Sequence, residues 1–182
     1  PSAAPVPPGP PLPTRTLRFD ALVRRLRTAQ MLESVVMGTQ VDADAPHSVM
    51  HLADDSRRVR PGTCFVAVPG HQTDGHAYID AAIAAGATTV VAERLPESAR
   101  TAHPAVRFVR VRNARAALGH IAAAYYGDPA EALTMVGVTG TNGKTTTAYL
   151  LHHGLNAVGE TAGLISTVEV RTGTLSVNAE LT

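Results

Sequence analysis

The chain has 182 residues, 45% of them hydrophobic and 17% charged, with a formal net charge of +1. That composition suits a globular protein of one or two domains with a sizeable core. The near-neutral balance argues against a nucleic-acid partner, and no run approaches the ~20 unbroken apolar residues of a membrane span. Cys64 is the single cysteine, which excludes an intrachain disulfide.

Seven of the first thirteen residues are proline, which predicts an extended, disordered tail over residues 1–16. The tail has no basic start followed by an apolar core, so it does not read as a secretory signal. A proline-rich docking peptide is the alternative. Leu22, Val23, Leu26, Ala29 and Leu32 recur at helical spacing and predict a helix over 20–32, with Arg24, Arg25 and Arg27 mostly off the apolar stripe.

From Val49 onward the pattern becomes α/β. Two short strands are expected on either side of the turn Arg60-Pro61-Gly62, then a helix over 76–85 stopped by Gly86. Strands are expected over 88–93 and 106–111 from their β-branched runs. Asn113 is a plausible N-cap for a helix over 114–126, which Gly127-Asp128-Pro129 ends. Residues 17–130 therefore read as a small α/β domain with a partly parallel sheet. Residues 131–182 open a second unit: a buried strand over 134–139, a glycine loop, a helix over 144–158, then strand material with a turn at Arg171-Thr172-Gly173.

The loop carries the chemistry. Strand, glycine loop, Lys-Thr and helix is the arrangement that holds a nucleoside triphosphate, because glycines let backbone N–H groups face the phosphates at a positive helix end. The stretch is Thr139-Gly140-Thr141-Asn142-Gly143-Lys144-Thr145-Thr146, with Val138 where the strict GxxxxGK[ST] string wants glycine. Lys144 is the only lysine, against fifteen arginines. A compact ammonium fits among phosphates where a planar guanidinium does not. Gly140, Thr141, Asn142, Gly143, Lys144, Thr145 and Thr146 are thus the candidate ATP-binding residues, Lys144 the candidate catalytic residue, and the Thr145 hydroxyl the candidate Mg²⁺ ligand.

VGVTGTNGKTTT resembles the ATP loop of the Mur ligase family, the ATP-dependent amino-acid ligases of peptidoglycan precursor synthesis. Upstream, Asp55-Ser56-Arg57, Arg60-Pro61-Gly62 and Cys64 to Gly70 are similar to that family's "DSR…PGxxFVAxxG" block, followed by His71-Gln72-Thr73-Asp74-Gly75-His76. Gly163 to Thr167 fits the same pattern, and the resemblance covers roughly residues 49–182. It implies a UDP-substrate-binding domain over 17–130 and the start of a P-loop, Rossmann-like ATPase domain over 131–182. It further implies Asp54, Ser56, His71, Gln72, Thr73 and Thr182 as substrate-binding positions, with ATP and Mg²⁺ as cofactors in the cytoplasm.

The branch most resembled adds the third amino acid, meso-diaminopimelate or L-lysine, to UDP-N-acetylmuramoyl-L-alanyl-D-glutamate through an acyl phosphate. The alternatives are the branch that takes a tripeptide acceptor, another ligase of the family, or a non-catalytic UDP-sugar-binding module. The family's carbamylated lysine, a further Mg²⁺-binding carboxylate and its amino-acid-selecting domain find no match here. The expectation is accordingly an N-terminal portion of a longer ligase, inactive alone.

Overall fold

A computed structural model describes residues 15–43, 47–70, 73–95, 98–173 and 175–179. The tail to residue 14 lies outside them. The described residues up to Leu133 form one compact unit and those from Thr134 form another.

The first unit runs β1 (Leu17–Arg18), α1 (Phe19–Thr28), β2 (Leu32–Met37), β3 (Ser48–Val49), β4 (His51–Ala53), β5 (Thr63–Ala67), α2 (Ile79–Ala84), β6 (Ala87–Ala92), α3 (Ala99–Ala102), β7 (Arg107–Val111) and α4 (Ala114–Tyr126). Five strands form one sheet in the order β2-β7-β6-β5-β4. Strands β4 to β7 are mutually parallel, and β2 closes the β7 edge antiparallel. The expected partly parallel sheet is present.

Side chains alternate across this sheet and build a core on each face. Cys64, Val66, Val91, Val109 and Val111 point to the face covered by α1 and α4, where Leu22, Leu26, Ala117 and Ile121 meet them. Phe65, Ala67, Val90, Ala92 and Phe108 point to the face covered by α2 and α3, against Ile79, Ala82 and Ala99. All five residues of β5 are buried, as a parallel strand covered on both faces requires. Burial also pushes the Cys64 thiol up to about 12, so it packs as a small apolar group.

Two expectations in this unit need correction. The first helix ends at Thr28 rather than Leu32, and Leu32 begins β2, a strand not anticipated. The cause is a turn that the sequence does not advertise. Gln30 takes the left-handed conformation at φ +57°, the Met31 N–H donates to the Leu26 carbonyl, and the Gln30 N–H to that of Arg27. These are the two bonds of a Schellman ending, here without its usual glycine. The helix expected over 76–85 opens as a one-turn 3-10 helix, Gly75–Tyr78, before α2 begins.

α4 keeps its expected bounds. Asn113 Oδ1 accepts from the Ala116 N–H at 2.8 Å, and Gly127 ends the helix at φ +77°. Beyond it, the Asp128 carboxylate pairs with the Arg25 guanidinium of α1.

His47 sits half-buried against the amino ends of β6 and β7. Its Nε2 lies 3.3 Å from the hydroxyls of Thr88 and Thr89, and its ring meets the edge of Phe19. Burial, and then the Arg107 charge, hold its pKa below 6.5. The unfolded chain therefore binds a proton at His47 more readily than the folded one. This contribution to stability is complete above pH 6.5 and is lost as pH falls from there towards the folded-state value. Denaturant titrations in that window should show stability falling with pH in the wild type and a flatter profile in His47→Gln.

The second unit contains α5 (Lys144–Ala157) and an antiparallel sheet of β8 (Leu164–Ile165), β9 (Glu169–Thr172) and β10 (Leu175–Asn178), in the order β10-β9-β8. The strand expected over 134–139 is not formed. Met135 and Val136 are 67% and 64% exposed, and among the described residues no strand pairs with this segment. An apolar run becomes a strand only where neighbours satisfy its backbone and cover its side chains. α5 likewise buries no residue. The polar anchor of the unit is Glu169, whose carboxylate accepts from Arg171 at 2.7 Å, from the Ser176 hydroxyl at 2.6 Å, and from the Tyr149 hydroxyl. Those bonds pull its pKa to about 2. Among the described residues no helix is long and apolar enough to cross a membrane.

Candidate functional site

Open α/β sheets bind ligands beyond the carboxyl ends of their parallel strands. In the first unit, Asp54, Asp55 and Ser56 follow β4, the segment 68–75 follows β5, Glu93 and Arg94 follow β6, and Arg112 and Asn113 follow β7. Three sequence-derived candidates, Asp54, Ser56 and Thr73, therefore share one end of the sheet. Asp54 and Thr73 are exposed, and Ser56 is half-buried at the start of a 3-10 turn. His71, Gln72 and Thr182 lie outside the described residues.

After β5 the stretches 68–70 and 73–75 pair with each other. Pro69 and Asp74 form the bridge, the Gly70 N–H donates to the Thr73 carbonyl at 2.9 Å, and the Gly75 N–H donates to that of Val68 at 3.1 Å. Gly75 is required by this close approach, because a Cβ there would lie 2.7 Å from both Val68 N and Val68 O.

The helix starts on this rim are already filled by side chains. Asp55 accepts from the Arg57 N–H at 2.9 Å, and the Arg57 guanidinium grips its carboxylate, holding it at about 2. Asp74 accepts from the His76 N–H at 3.0 Å and, by that bond first, is held below its ordinary range. Glu93 takes the Ala114 N–H at 2.8 Å beside the Asn113 cap. An anionic ligand at this rim would be met by side chains and by the paired stretches rather than by a helix dipole.

The second unit is built the other way. Gly143, at φ +77°, precedes α5, which has no side-chain cap and no acidic residue in its first turn. Gly140 adopts φ +142°, backbone that a side-chain-bearing residue rarely takes. Lys144 Nζ lies back across the loop and donates to the carbonyls of Gly140 at 2.6 Å and Thr141 at 3.1 Å. Thr141, Asn142 and Thr146 are exposed, and Thr145 is half-buried in the first turn. Uncapped first-turn N–H groups, a hydroxyl and an ammonium tethered only to loop carbonyls are what a polyphosphate and its cation would use. The residues present therefore fit ATP and Mg²⁺.

Residues 48–126 match the model described as "Mur ligase family, catalytic domain". Over those residues the chain is similar to the Mur ligase family. It is 46% identical over 140 residues to a UDP-N-acetylmuramoyl-L-alanyl-D-glutamate–2,6-diaminopimelate ligase of Phocaeicola vulgatus, covering 75% of this chain and 28% of that protein. It is 50% identical over 119 residues to a UDP-N-acetylmuramyl-tripeptide synthetase of Roseiflexus, covering 65% of this chain and 23% of the relative. The chain thus spans about a quarter of the length of these Mur ligase relatives. A crystal structure of MurF from Acinetobacter baumannii aligns with a TM-score of 0.51 at 24% identity, over 75% of this chain and 27% of that one. That last likeness is one of fold.

Sequence reasoning missed His76, Glu93 and Arg94, which tie the loops of this rim together. The signal for His76 lay two residues upstream. An aspartate before Gly-His is an Asx-turn pattern, whereas the helical reading took His76 as an ordinary first-turn residue.

Proposed function

We propose that this chain supplies the nucleotide-sugar-binding unit and the ATP loop of a ligase that joins an amino acid to UDP-N-acetylmuramoyl-L-alanyl-D-glutamate in the cytoplasm. The observation that carries the reading is the loop around Lys144, whose uncapped helix start and single lysine suit a polyphosphate, in a chain 46% identical to a ligase of that name. Asp54, Ser56 and Thr73, with His71 and Gln72, are assigned to the nucleotide sugar. Gly140 to Thr146 are assigned to ATP, and Thr145 to Mg²⁺.

The reaction has two steps. A carboxylate oxygen of the dipeptide attacks the terminal phosphorus of ATP, giving an acyl phosphate and ADP. The amine of the incoming amino acid then attacks the acyl carbon, phosphate departs, and the amine loses a proton. Mg²⁺, when bound, neutralises charge on the transferring phosphoryl group. Lys144, whose ammonium now donates to loop carbonyls, would hold the phosphate oxygens of ATP. The first-turn N–H groups of α5 orient the chain of phosphates.

The fold likeness to MurF supports one other reading, a ligase of the neighbouring branch with a longer acceptor. ADP release by the full-length gene product separates the two. Release is expected with the UDP-linked dipeptide plus diaminopimelate or L-lysine. Release only with a UDP-linked tripeptide would move the protein to the neighbouring branch. ATP binding with no release on any acceptor would make it a non-catalytic module.

A further inference from the structure

We infer that His76 is a positioning residue for the nucleotide sugar, acting through the paired stretches 68–70 and 73–75; this rests on the nucleotide-sugar reading of the rim. Its side chain is only 12% exposed. Nε2 faces two backbone donors, the N–H groups of Glu93 and Arg94, each at 3.2 Å. An imidazole nitrogen that receives two N–H groups must be the acceptor, so the ring proton sits on Nδ1 and is donated to Asp74 Oδ1 at 2.6 Å. Asp74 Oδ2 accepts from the Arg94 guanidinium at 2.6 Å.

One ring thus bolts the distal arm, residues 73–75, to the carboxyl end of β6. A second tie comes from α4, where Arg115 donates to the Pro69 carbonyl at 3.3 Å. The missing Cβ of Gly75 lets the arm lie against Val68, which fixes its root. Thr73 stands on this arm, and His71 and Gln72 lie between Gly70 and Thr73 in the chain. Three elements therefore fix the arm that carries Thr73, whose side chain is polar and exposed. Binding through such an arm depends on how much order the free protein has already imposed. A histidine serving only the core would be silent towards ligand.

The test uses the 182-residue chain, titrated calorimetrically with UDP-N-acetylmuramoyl-L-alanyl-D-glutamate. His76→Ala removes both roles. His76→Asn places an amide near Nδ1 and leaves the two N–H groups without an acceptor. His76→Gln carries an oxygen out to the position of Nε2. The expected weakening is about tenfold for His76→Ala and His76→Asn, as for leaving buried donors unsatisfied, with His76→Gln within about threefold of wild type. Arg25→Ala, which breaks the ion pair with Asp128 at the other end of α4, should lower the thermal midpoint and leave affinity unchanged.

Folded His76→Ala that binds as tightly as wild type would overturn the positioning role, as would His76→Gln no better than His76→Asn. A wild-type chain that binds no nucleotide sugar would instead overturn the functional reading, and the positioning role with it.

Discussion

Lys144→Ala in the full-length gene product should lower ligase turnover roughly 10²–10³-fold, the range typical of removing one charge-stabilising group from a transition state. Binding of the nucleotide sugar should not change, because Asp54, Ser56 and Thr73 lie in the other unit. The asymmetry follows from the loop. α5 presents uncapped N–H groups at Gly143 and beyond, but these are partial charges. Lys144 brings the only full positive charge within the stretch 139–146. Lys144→Arg should rescue little, since a planar guanidinium cannot occupy the place of a compact ammonium donating to the carbonyls of Gly140 and Thr141. Turnover within a few-fold of wild type in Lys144→Ala would remove Lys144 from the chemistry. Steady-state ADP release beside calorimetric binding measures both halves.

Phe108→Ala should be the most damaging single change in the first unit. Phe108 is fully buried in β7, between β2 and β6, and packs with Phe65, Val90 and Ile79 under α2 and α3. Truncation removes the ring from a core with no slack and leaves a cavity, at a cost of about 3–5 kcal/mol. For a unit of this size that corresponds to a fall in thermal midpoint of roughly 12–20 °C. Ile83, only partly buried beside the same cluster, should tolerate Ile83→Val with a loss of about 1 kcal/mol. Equal urea midpoints for the two variants would contradict the placement of the core.

The parts of the fold legible in the sequence are those where one residue carries a strong local signal. Asn113 and Gly127 bracket α4 because a capping amide and a glycine at positive φ each satisfy otherwise orphaned backbone groups. The mostly apolar runs of β5 and β6 read as strands because a parallel strand covered on both faces has no polar alternation to disguise it. The end of α1 was hidden, since Gln30 takes a conformation that sequence patterns assign to glycine or asparagine. β2 was missed with it. LESVVM carries two polar residues at its start and forms a strand through pairing with β7, a partner some seventy positions away. The run 134–139 failed in the opposite sense. Its composition is that of a buried strand, but a strand exists only with neighbours, and none among the described residues provides them.

The same division holds for the candidate site. The phosphate loop is local, so glycines, Lys144 and Thr145 in sequence announce it. The proposed substrate rim is assembled from the ends of four strands, and only the topology brings Asp54, Ser56 and Thr73 to one edge. His76 shows the limit most clearly. Its partners Glu93 and Arg94 are seventeen and eighteen positions away, and its role as acceptor emerges only when their N–H groups are seen to converge on Nε2.

The rim beyond β4 and β5 is proposed to take a nucleotide sugar. Calorimetric titration of the chain with UDP-N-acetylmuramoyl-L-alanyl-D-glutamate, with plain UDP as the control, tests it most directly. Saturable binding at one site is expected, tighter for the nucleotide sugar than for UDP, and weakened by His76→Ala but not by Lys144→Ala. A folded chain that binds neither ligand, or binds both only through the loop at Lys144, would contradict it.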